Sequence, residues 1–196
     1  METRRAQWLL NVFPLHNWLK DDSRILDLAC GMGYITNNLK SNLTAEIWGV
    51  DIVDYRTKAI KKNTKFNFIL GDAYNLGFAN EYFDSVLILV SLHHMFEPGK
   101  VIKEALRVLK PNGKLIILED LIKSKFSIQT IMTLFIDNVI NLSFTKNPNS
   151  NKTKTQWIDL FTHDFDLKLQ NEYSVKWGSL FKPLELGVFV LQKGSS

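Results

Sequence analysis

A strand that runs into a glycine-containing turn and then into a helix lies near the start of this chain. Residues 25–33 read Ile-Leu-Asp-Leu-Ala-Cys-Gly-Met-Gly, and a helix is predicted from Tyr34 onward. Gly31 and Gly33 allow the backbone to approach a ligand that any Cβ atom would exclude. Because the N–H groups at a helix start attract polar and negative groups, the segment predicts a nucleotide-cofactor site.

The acid inside this segment restricts the kind of cofactor. Asp27 lies where the first strand turns toward the predicted ligand, and Thr36 stands where a dinucleotide fingerprint has its third glycine. A carboxylate here repels a pyrophosphate and attracts a positive group. The residues therefore favour S-adenosylmethionine, which carries an amino group and a sulfonium ion, over a dinucleotide. Gly31, Gly33 and Asp27 are assigned to its methionine end.

The same pattern of a strand followed by an acid occurs twice more. Asp51 follows an apolar run at 45–50, and a carboxylate there can accept hydrogen bonds from both ribose hydroxyls. Asp72 and Ala73 follow the run at 66–71. We expect Asp72 to accept from an adenine amino group and Ala73 to donate its backbone N–H to the ring.

The periodicity of the apolar residues predicts strands that alternate with helices. The predicted strands are 24–29, 45–50, 66–71, 83–90, 113–119, 165–173 and 186–192, and the predicted helices are 34–41, 55–63, 98–109, 123–144 and 154–163. Short strands joined by helical crossovers form a parallel sheet that is covered on both faces. An amphipathic helical extension over 1–20, bent near Pro14, precedes the sheet, and a polar loop covers 145–155.

Taken in order, these motifs resemble those of the class I S-adenosylmethionine-dependent methyltransferases. The resemblance rests on Asp27, Asp51, the Gly71-Asp72-Ala73 turn, the Leu92-His93-His94 corner and Leu109-Lys110-Pro111-Asn112-Gly113. It is nearest to the small-molecule group that includes ubiquinone and menaquinone biosynthesis methyltransferases, and it covers residues 24–120 well. The family often has glycine where Ala29 and Asn112 stand, but alanine is small and asparagine tolerates a left-handed turn.

The resemblance implies both a fold and a set of cofactor contacts. The implied fold is α/β and Rossmann-like, with a seven-stranded, mostly parallel sheet of order 3-2-1-4-5-7-6, an antiparallel last strand and helices on both faces. The implied cofactor-binding residues are Asp27, Ala29, Cys30, Gly31, Gly33, Asp51, Ile52, Asp72, Ala73 and Val90.

Two histidines follow the fourth predicted strand, at the sheet edge where open α/β sheets place their sites. His93 or His94 could take a proton from the methyl acceptor, because histidine titrates near neutral pH. Alternatively, they orient the loop or pack beneath the cofactor. No histidine or cysteine spacing indicates a metal site. Cys30 lies inside the glycine turn and is interpreted as a packing residue rather than as a nucleophile.

Composition and charge limit the partners. The 196 residues suit one domain, and the net charge of +4 comes from lysines scattered among acids. This distribution predicts no nucleic-acid partner. No apolar run reaches the ~20 residues of a spanning helix, so stable membrane insertion is not expected. A single cysteine in the chain suits a reducing cytoplasm.

The segment 121–157 is predicted to be an insertion on the substrate side. Its helix is apolar on more than one face and therefore needs cover on both sides. The open explanations are a core element that also forms a homodimer contact through 126–144, a lid over an apolar small-molecule pocket, and transient contact with a membrane.

These features predict an S-adenosylmethionine-dependent methyltransferase for a small, largely apolar acceptor. The corner Ser91-Leu92-His93-His94 lacks the prolines of enzymes that methylate amino groups in nucleic acids. A protein or RNA methyltransferase, and a non-catalytic S-adenosylmethionine-binding regulatory or assembly protein, remain the alternatives.

Overall fold

A computed structural model of the chain describes residues 8–9, 11–122, 150–177 and 184–195. The predicted helix at 123–144 lies outside the described residues, and so do its lid and homodimer interpretations and most of the predicted loop at 145–155. Before the sheet, the described chain is helical at 8–9 and 11–12, and a 3-10 turn, Leu15–Asn17, follows Pro14.

Seven strands form one sheet. In the first half of the chain, the connections between parallel strands are helices or loops. The strands are β1 Arg24–Leu28, β2 Glu46–Asp51, β3 Asn67–Leu70, β4 Phe83–Leu89, β5 Leu109–Leu121, β6 Lys168–Trp177 and β7 Leu184–Gln192; the α-helices are α1 Tyr34–Asn42, α2 Lys58–Lys62, α3 Pro98–Val108 and α4 Lys154–Asp159. A 3-10 turn, Leu92–His94, follows β4, and a π-helical turn, Leu160–Asp164, follows α4.

The strand order is β3-β2-β1-β4-β5-β7-β6. Strands β1 to β5 are parallel to one another, whereas β7 is antiparallel to both β5 and β6. The predicted order and the antiparallel last strand are confirmed. Because the five parallel strands point the same way, the residues that follow them meet at one edge of the sheet.

The apolar core lies on both faces of the central strands. On one face, α3 and α4 contribute Val101, Ile102 and Trp157. On the other face, α1 contributes Leu39 and the N-terminal segment contributes Phe13. Burial on both sides explains why β4 reads as an almost continuous apolar run.

Strand β5 begins earlier than the sequence predicted. Phe83 pairs with Leu109 and Ser85 pairs with Lys114, so the β5 residues between these pairs bulge out of the ladder. Asn112 adopts a left-handed conformation there, with φ of 59°. The predicted turn is therefore present, but it lies within the strand because Leu109 already pairs with β4.

Arg107 on α3 fastens the loop that follows β3. Its guanidinium donates hydrogen bonds to the carbonyl oxygens of Leu76 at 2.9 Å and Phe78 at 2.9 Å and to Asn80 Oδ1 at 2.8 Å. Glu104 holds the same guanidinium at 2.7 Å. The hydrogen bond from Arg107 also lowers the pKa of Glu104.

We expect Arg107→Met to destabilise the protein by about 1–3 kcal/mol, because two loop carbonyls lose a charged donor. Lys103→Met is the matched control, since Lys103 lies on the same helix and is exposed. Chemical denaturation of both variants measures the difference. Equal midpoints for the two variants would contradict a role of Arg107 in holding the loop.

Candidate functional site

The glycine turn after β1 adopts a compact left-handed path. Ala29, Gly31 and Gly33 have φ values of 60°, 54° and 70°. Gly33 is the N-cap residue of α1. The N–H of Cys30 donates to the Val50 carbonyl at 3.1 Å and the N–H of Gly33 donates to the Cys30 carbonyl at 3.0 Å. These bonds hold the turn against the end of β2.

Phe66 supports this turn from one side and leaves the other side open. A Cβ atom placed on Gly33 would lie 2.7 Å from Phe66 Cζ, and one on Gly49 would lie 2.7 Å from Phe66 Cε2. The ring is therefore trapped between two glycines. A Cβ atom on Gly31, by contrast, would meet no atom within 4 Å. The turn is therefore packed at Gly33 and open at Gly31.

Asp51 joins the end of β2 to the glycine turn. Its Oδ2 accepts a hydrogen bond from the N–H of Gly31 at 2.7 Å, and its Oδ1 accepts from the N–H of Val53 at 3.3 Å. Its residue exposure is only 9%. Each carboxylate oxygen has a second lone pair, so the group retains acceptor capacity for hydroxyl donors. Asp51 thus lies at the end of β2 against the glycine turn, and its binding of the ribose stays a prediction.

The predicted adenine residues lie at the adjoining strand end. Asp72 is exposed, and its Oδ1 accepts from the N–H of Tyr74 at 2.9 Å. Ile52 follows Asp51 and has a 67% exposed side chain, whereas most large apolar residues are buried. An exposed isoleucine beside a hydrogen-bonding acid supplies an apolar surface on which a ring can pack.

Asp27 is a buried carboxyl group in β1, just before the glycine turn. Thr36 Oγ1 donates to its Oδ2 at 2.5 Å, while its Oδ1 is buried without a hydrogen-bond partner among the described residues. Burial raises the pKa of Asp27 to about 7, against the effect of the Thr36 bond, and Asp51 adds to the rise. The Asp27 carboxyl group can therefore take a further hydrogen-bond donor or a positive charge, and its assignment to the methionine end stays a prediction.

Cys30 has the environment of a packing residue. A Cβ atom on Gly49 would lie 2.9 Å from its Sγ atom, so the thiol fills the space beside β2. Burial, with Asp27 and Asp51 nearby, raises the pKa of the Cys30 thiol far above its ordinary value. The thiol therefore stays protonated and is not a nucleophile at neutral pH.

The chain turns sharply after β4. Val90 has φ of 55°, a conformation that a β-branched residue adopts rarely. Its N–H donates to the Leu118 carbonyl at 2.6 Å. Such strain persists only where the surroundings hold it in place. In this turn, hydrogen bonds to Glu119 hold the residues that follow Val90.

Glu119 on β5 is a buried carboxylate that holds the turn carrying the two histidines. Its exposure is 0%, and its Oε1 accepts from the N–H groups of Ser91 at 3.0 Å and Leu92 at 2.6 Å. Its Oε2 lies 2.6 Å from Nδ1 of His93, which is 2% exposed. His94 is exposed, and its ring centroid lies 3.9 Å from that of His93.

The structure therefore separates the two histidines that the sequence could not distinguish. His93 points to a buried carboxylate, and His94 lies at the surface beside it. Ser150 reinforces the turn, since its N–H donates to the His93 carbonyl at 3.2 Å. The sequence analysis identified neither Glu119 as a site residue nor the hydrogen bond from Thr36 to Asp27. The signal for Glu119 was an acid at the end of a predicted apolar strand, which is the pattern already used for Asp51.

The fold and this edge of the sheet together define a class. Residues 26–117 match the family model described as a methyltransferase domain. A solved S-adenosylmethionine-dependent methyltransferase of Methanosarcina mazei superposes with a TM-score of 0.72 at 19% identity, covering 94% of this chain and 98% of that one. A phosphoethanolamine N-methyltransferase of Haemonchus contortus gives a TM-score of 0.73 at 15% identity, covering 95% of this chain and 53% of that one. The chain thus has the fold of these solved methyltransferases, and residues 26–117 are similar to a methyltransferase domain.

The sequence relatives belong to a narrower group of methyltransferases. The chain is 38% identical over 107 residues to a demethylmenaquinone methyltransferase of Paenarthrobacter aurescens, covering 52% of this chain and 40% of that protein. It is 33% identical over 103 residues to a ubiquinone/menaquinone biosynthesis C-methyltransferase of Chromobacterium violaceum, covering 49% of this chain and 42% of that protein. The chain thus spans less than half the length of these curated relatives.

The described residues fit the cofactor of this class, S-adenosylmethionine. The backbone at Gly31 is open to a ligand, and the Asp27 oxygen without a partner among the described residues suits a cationic group. No helix of the described residues has the length and apolar character that crossing a membrane requires.

The raised pKa of Asp27 predicts a stability change with pH. Between its ordinary value of 3.8 and about 7, the folded protein keeps a proton that the unfolded chain releases. The free energy of unfolding of the free protein therefore falls as the pH rises through this window. Asp27→Asn should raise the melting temperature of the free protein at pH 8 relative to wild type, and should change it much less near pH 4. A variant destabilised equally at both pH values would contradict this.

Two glycine variants should behave differently. Gly31→Ala and Gly33→Ala each place a side chain in a left-handed conformation, at a cost of about 1–2 kcal/mol. Gly33→Ala also overlaps the trapped Phe66 ring, which should cost about 1–3 kcal/mol more. Gly31→Ala should mainly weaken S-adenosylmethionine binding, because its Cβ enters the open space where the cofactor is predicted to approach the backbone. Denaturation and calorimetric titration of both variants test this, and equal stability losses would contradict it.

Proposed function

We propose that this protein transfers a methyl group from S-adenosylmethionine to a small, largely apolar acceptor, and that the ring of a reduced quinone is the acceptor class. The observation that carries the proposal is the glycine turn after β1, which is open at Gly31, is bonded to the buried Asp51 and follows the buried Asp27. The two sequence relatives are named for quinone biosynthesis, which supports the acceptor class.

The cofactor supplies an activated methyl group when bound, so the chain's main task is to position the reactants. Asp51 binds the ribose hydroxyls. Asp72, Ala73 and Ile52 surround the adenine, and Val90 lies beside the cofactor at the end of β4. Ala29, Cys30, Gly31 and Gly33 shape the backbone along the methionine end, and Asp27 faces its positive charge.

The acceptor enters at the same sheet edge, beside the turn after β4. His93 lies in the turn that follows β4, and β4 pairs with β1 in the sheet. The apolar segment 121–157 is proposed to cover this side as a lid. A homodimer contact through 126–144 would be an additional role of the same segment.

The alternatives make different predictions. An RNA methyltransferase would bind nucleic acid with an affinity that falls steeply as salt rises. A non-catalytic regulatory protein would bind S-adenosylmethionine and transfer nothing. The hydrogen-bonded site around His93 and Glu119 favours the enzyme, since a binding protein has no need of a buried carboxylate and imidazole pair at the acceptor edge.

The direct test is methyl transfer from labelled S-adenosylmethionine to a reduced demethylmenaquinone analogue with a short side chain. Mass spectrometry of the product should show one added methyl group on the ring. Asp51→Asn should weaken cofactor binding at least about tenfold, because charge-assisted hydrogen bonds contribute ~1.5–3 kcal/mol each. Asp54→Asn is the matched control, since Asp54 pairs instead with Arg56 and Lys61 at the surface.

Cofactor binding without transfer to the quinol would count against the acceptor class. Unchanged cofactor affinity in Asp51→Asn, measured by calorimetry, would count against the assignment of the cofactor site.

A further inference from the structure

We infer that the sheet edge formed by α2 and β3 is a docking surface for a membrane that contains anionic phospholipids. This surface, the basic edge, consists of Lys58, Lys62, Val53 and Leu70. Lipid contact there goes beyond the proposed methyl transfer and does not depend on it. Three observations support the inference: the distribution of charge along the chain, the surroundings of the two lysines, and the aliphatic side chains exposed beside them.

The net charge of the protein is concentrated in one short segment. Residues 54–65 hold five of the 24 Lys and Arg residues and one of the 20 Asp and Glu residues, so the segment has a formal net charge of +4. The rest of the chain, with 19 residues of each sign, is formally neutral. The segment contains α2 and leads into β3, which lies at one end of the strand order. The excess positive charge is therefore gathered at one edge of the sheet, where it attracts an anionic surface.

Only part of this charge is neutralised within the protein. Asp54 pairs with both Arg56 and Lys61, at 2.9 Å each. Lys58 and Lys62 are exposed, and neither side chain makes an ion pair or a hydrogen bond with any described residue. Helix α2 buries none of its residues. Both ammonium groups can therefore reach a lipid phosphate without a rearrangement of the fold.

Aliphatic side chains are exposed beside these lysines. Leu70 ends β3 and is 63% exposed, and Val53 follows β2 and is 44% exposed. Because Leu70 pairs with Asp51, the two aliphatic residues lie at the same carboxyl edge of the sheet. Strand residues two apart share a face, so Leu70 lies on the side of Phe68, whose ring centre is 3.8 Å from the Arg56 guanidinium. Leu70 therefore lies on the side of the sheet that the basic segment flanks.

This combination favours a lipid surface over a nucleic acid. Lysines beside aliphatic side chains suit an interface where phosphates lie above hydrocarbon. Single-stranded nucleic acids are bound by aromatic rings that stack on bases, and arginine is the usual bidentate partner of phosphate. Here the Phe68 ring is already in contact with Arg56, and that guanidinium is paired with Asp54.

The charge of the segment also opposes a dimer through the basic edge. A two-fold symmetric contact would place the same patch of both subunits together. Two segments of net charge +4 would then face each other, and like charges across an interface are costly. A membrane surface with negative lipids has the complementary charge.

The test measures co-sedimentation of the full chain with lipid vesicles. Vesicles of phosphatidylcholine and phosphatidylserine in equal parts should bind the protein, whereas vesicles of phosphatidylcholine alone should bind it far more weakly. Binding to the mixed vesicles should weaken as the salt concentration rises, because mobile ions screen the lysines.

The first variant combines Lys58→Gln with Lys62→Gln. A lysine near an anionic surface strengthens binding about fivefold, which corresponds to ~1 kcal/mol, so this variant should bind the mixed vesicles about 25-fold more weakly. The matched control combines Lys103→Gln with Lys168→Gln, which changes the net charge equally. Both control lysines are exposed, and they lie on α3 and β6, away from β3. The control should bind almost as tightly as wild type.

Leu70→Ser tests the aliphatic part of the basic edge. It should weaken binding to the mixed vesicles about fivefold, because a leucine that enters the hydrocarbon boundary loses contact with water. The salt dependence should stay as in wild type, since no charge changes. Melting temperatures close to that of wild type show that the variants are folded.

Four outcomes would overturn the inference. They are the absence of binding to the mixed vesicles, equal binding to vesicles with and without phosphatidylserine, equal losses in the α2 variant and its control, and binding to a polyuridine strand in place of vesicles. A dimer in light scattering that Leu70→Ser converts to a monomer would also overturn it, in favour of a second copy of the chain. No measurement uses a methyl acceptor, so failure here is distinct from failure of the proposed function.

Discussion

Buried carboxyl groups at the ends of parallel strands are the constraint around which this site is built. Asp27, Asp51 and Glu119 lie within or at the ends of β1, β2 and β5, and each is at most 9% exposed. A buried carboxylate without donors is costly, so the chain must bring donors to each one. The donors are Thr36 for Asp27, the turn N–H of Gly31 for Asp51, and the N–H groups after β4 for Glu119. The loops of the site take the shapes that these bonds require.

The three groups are satisfied to different degrees, and the difference separates their roles. Glu119 uses both oxygens within the protein and therefore serves to hold other residues. Asp51 has bonds to two backbone N–H groups and retains lone pairs. Asp27 leaves one buried oxygen without a partner in the described part of the chain, and burial raises its pKa to about 7. The buried Asp27 carboxyl group therefore lowers the stability of the free protein, and a cationic ligand bound beside it can restore that stability.

Backbone strain concentrates at the same edge. Ala29 and Val90 follow the neighbouring strands β1 and β4 and both adopt left-handed conformations without being glycine. Packing and hydrogen bonds on all sides keep them there: the glycine turn rests on Phe66, and the turn after β4 rests on Glu119. The resulting rigidity suits an enzyme whose cofactor is already activated, since little more than orientation remains to be supplied.

The local sequence determined the alternation of strands and helices, the glycine turn and the acids Asp51 and Asp72, because a strand, a turn and a helix start are patterns of adjacent residues. The chemical role of such a pattern can be predicted from its own residues, without knowing which other residues the fold brings close to it. The strand order was instead implied by the resemblance of these motifs to a known family. The extent of β5 could not be read in this way, since Leu109 becomes a strand residue only by pairing with Phe83. The choice between His93 and His94 likewise depended on Glu119, 26 residues further along the chain. Two groups so far apart meet only when β4 and β5 pair in one register, and that register is a property of the folded sheet.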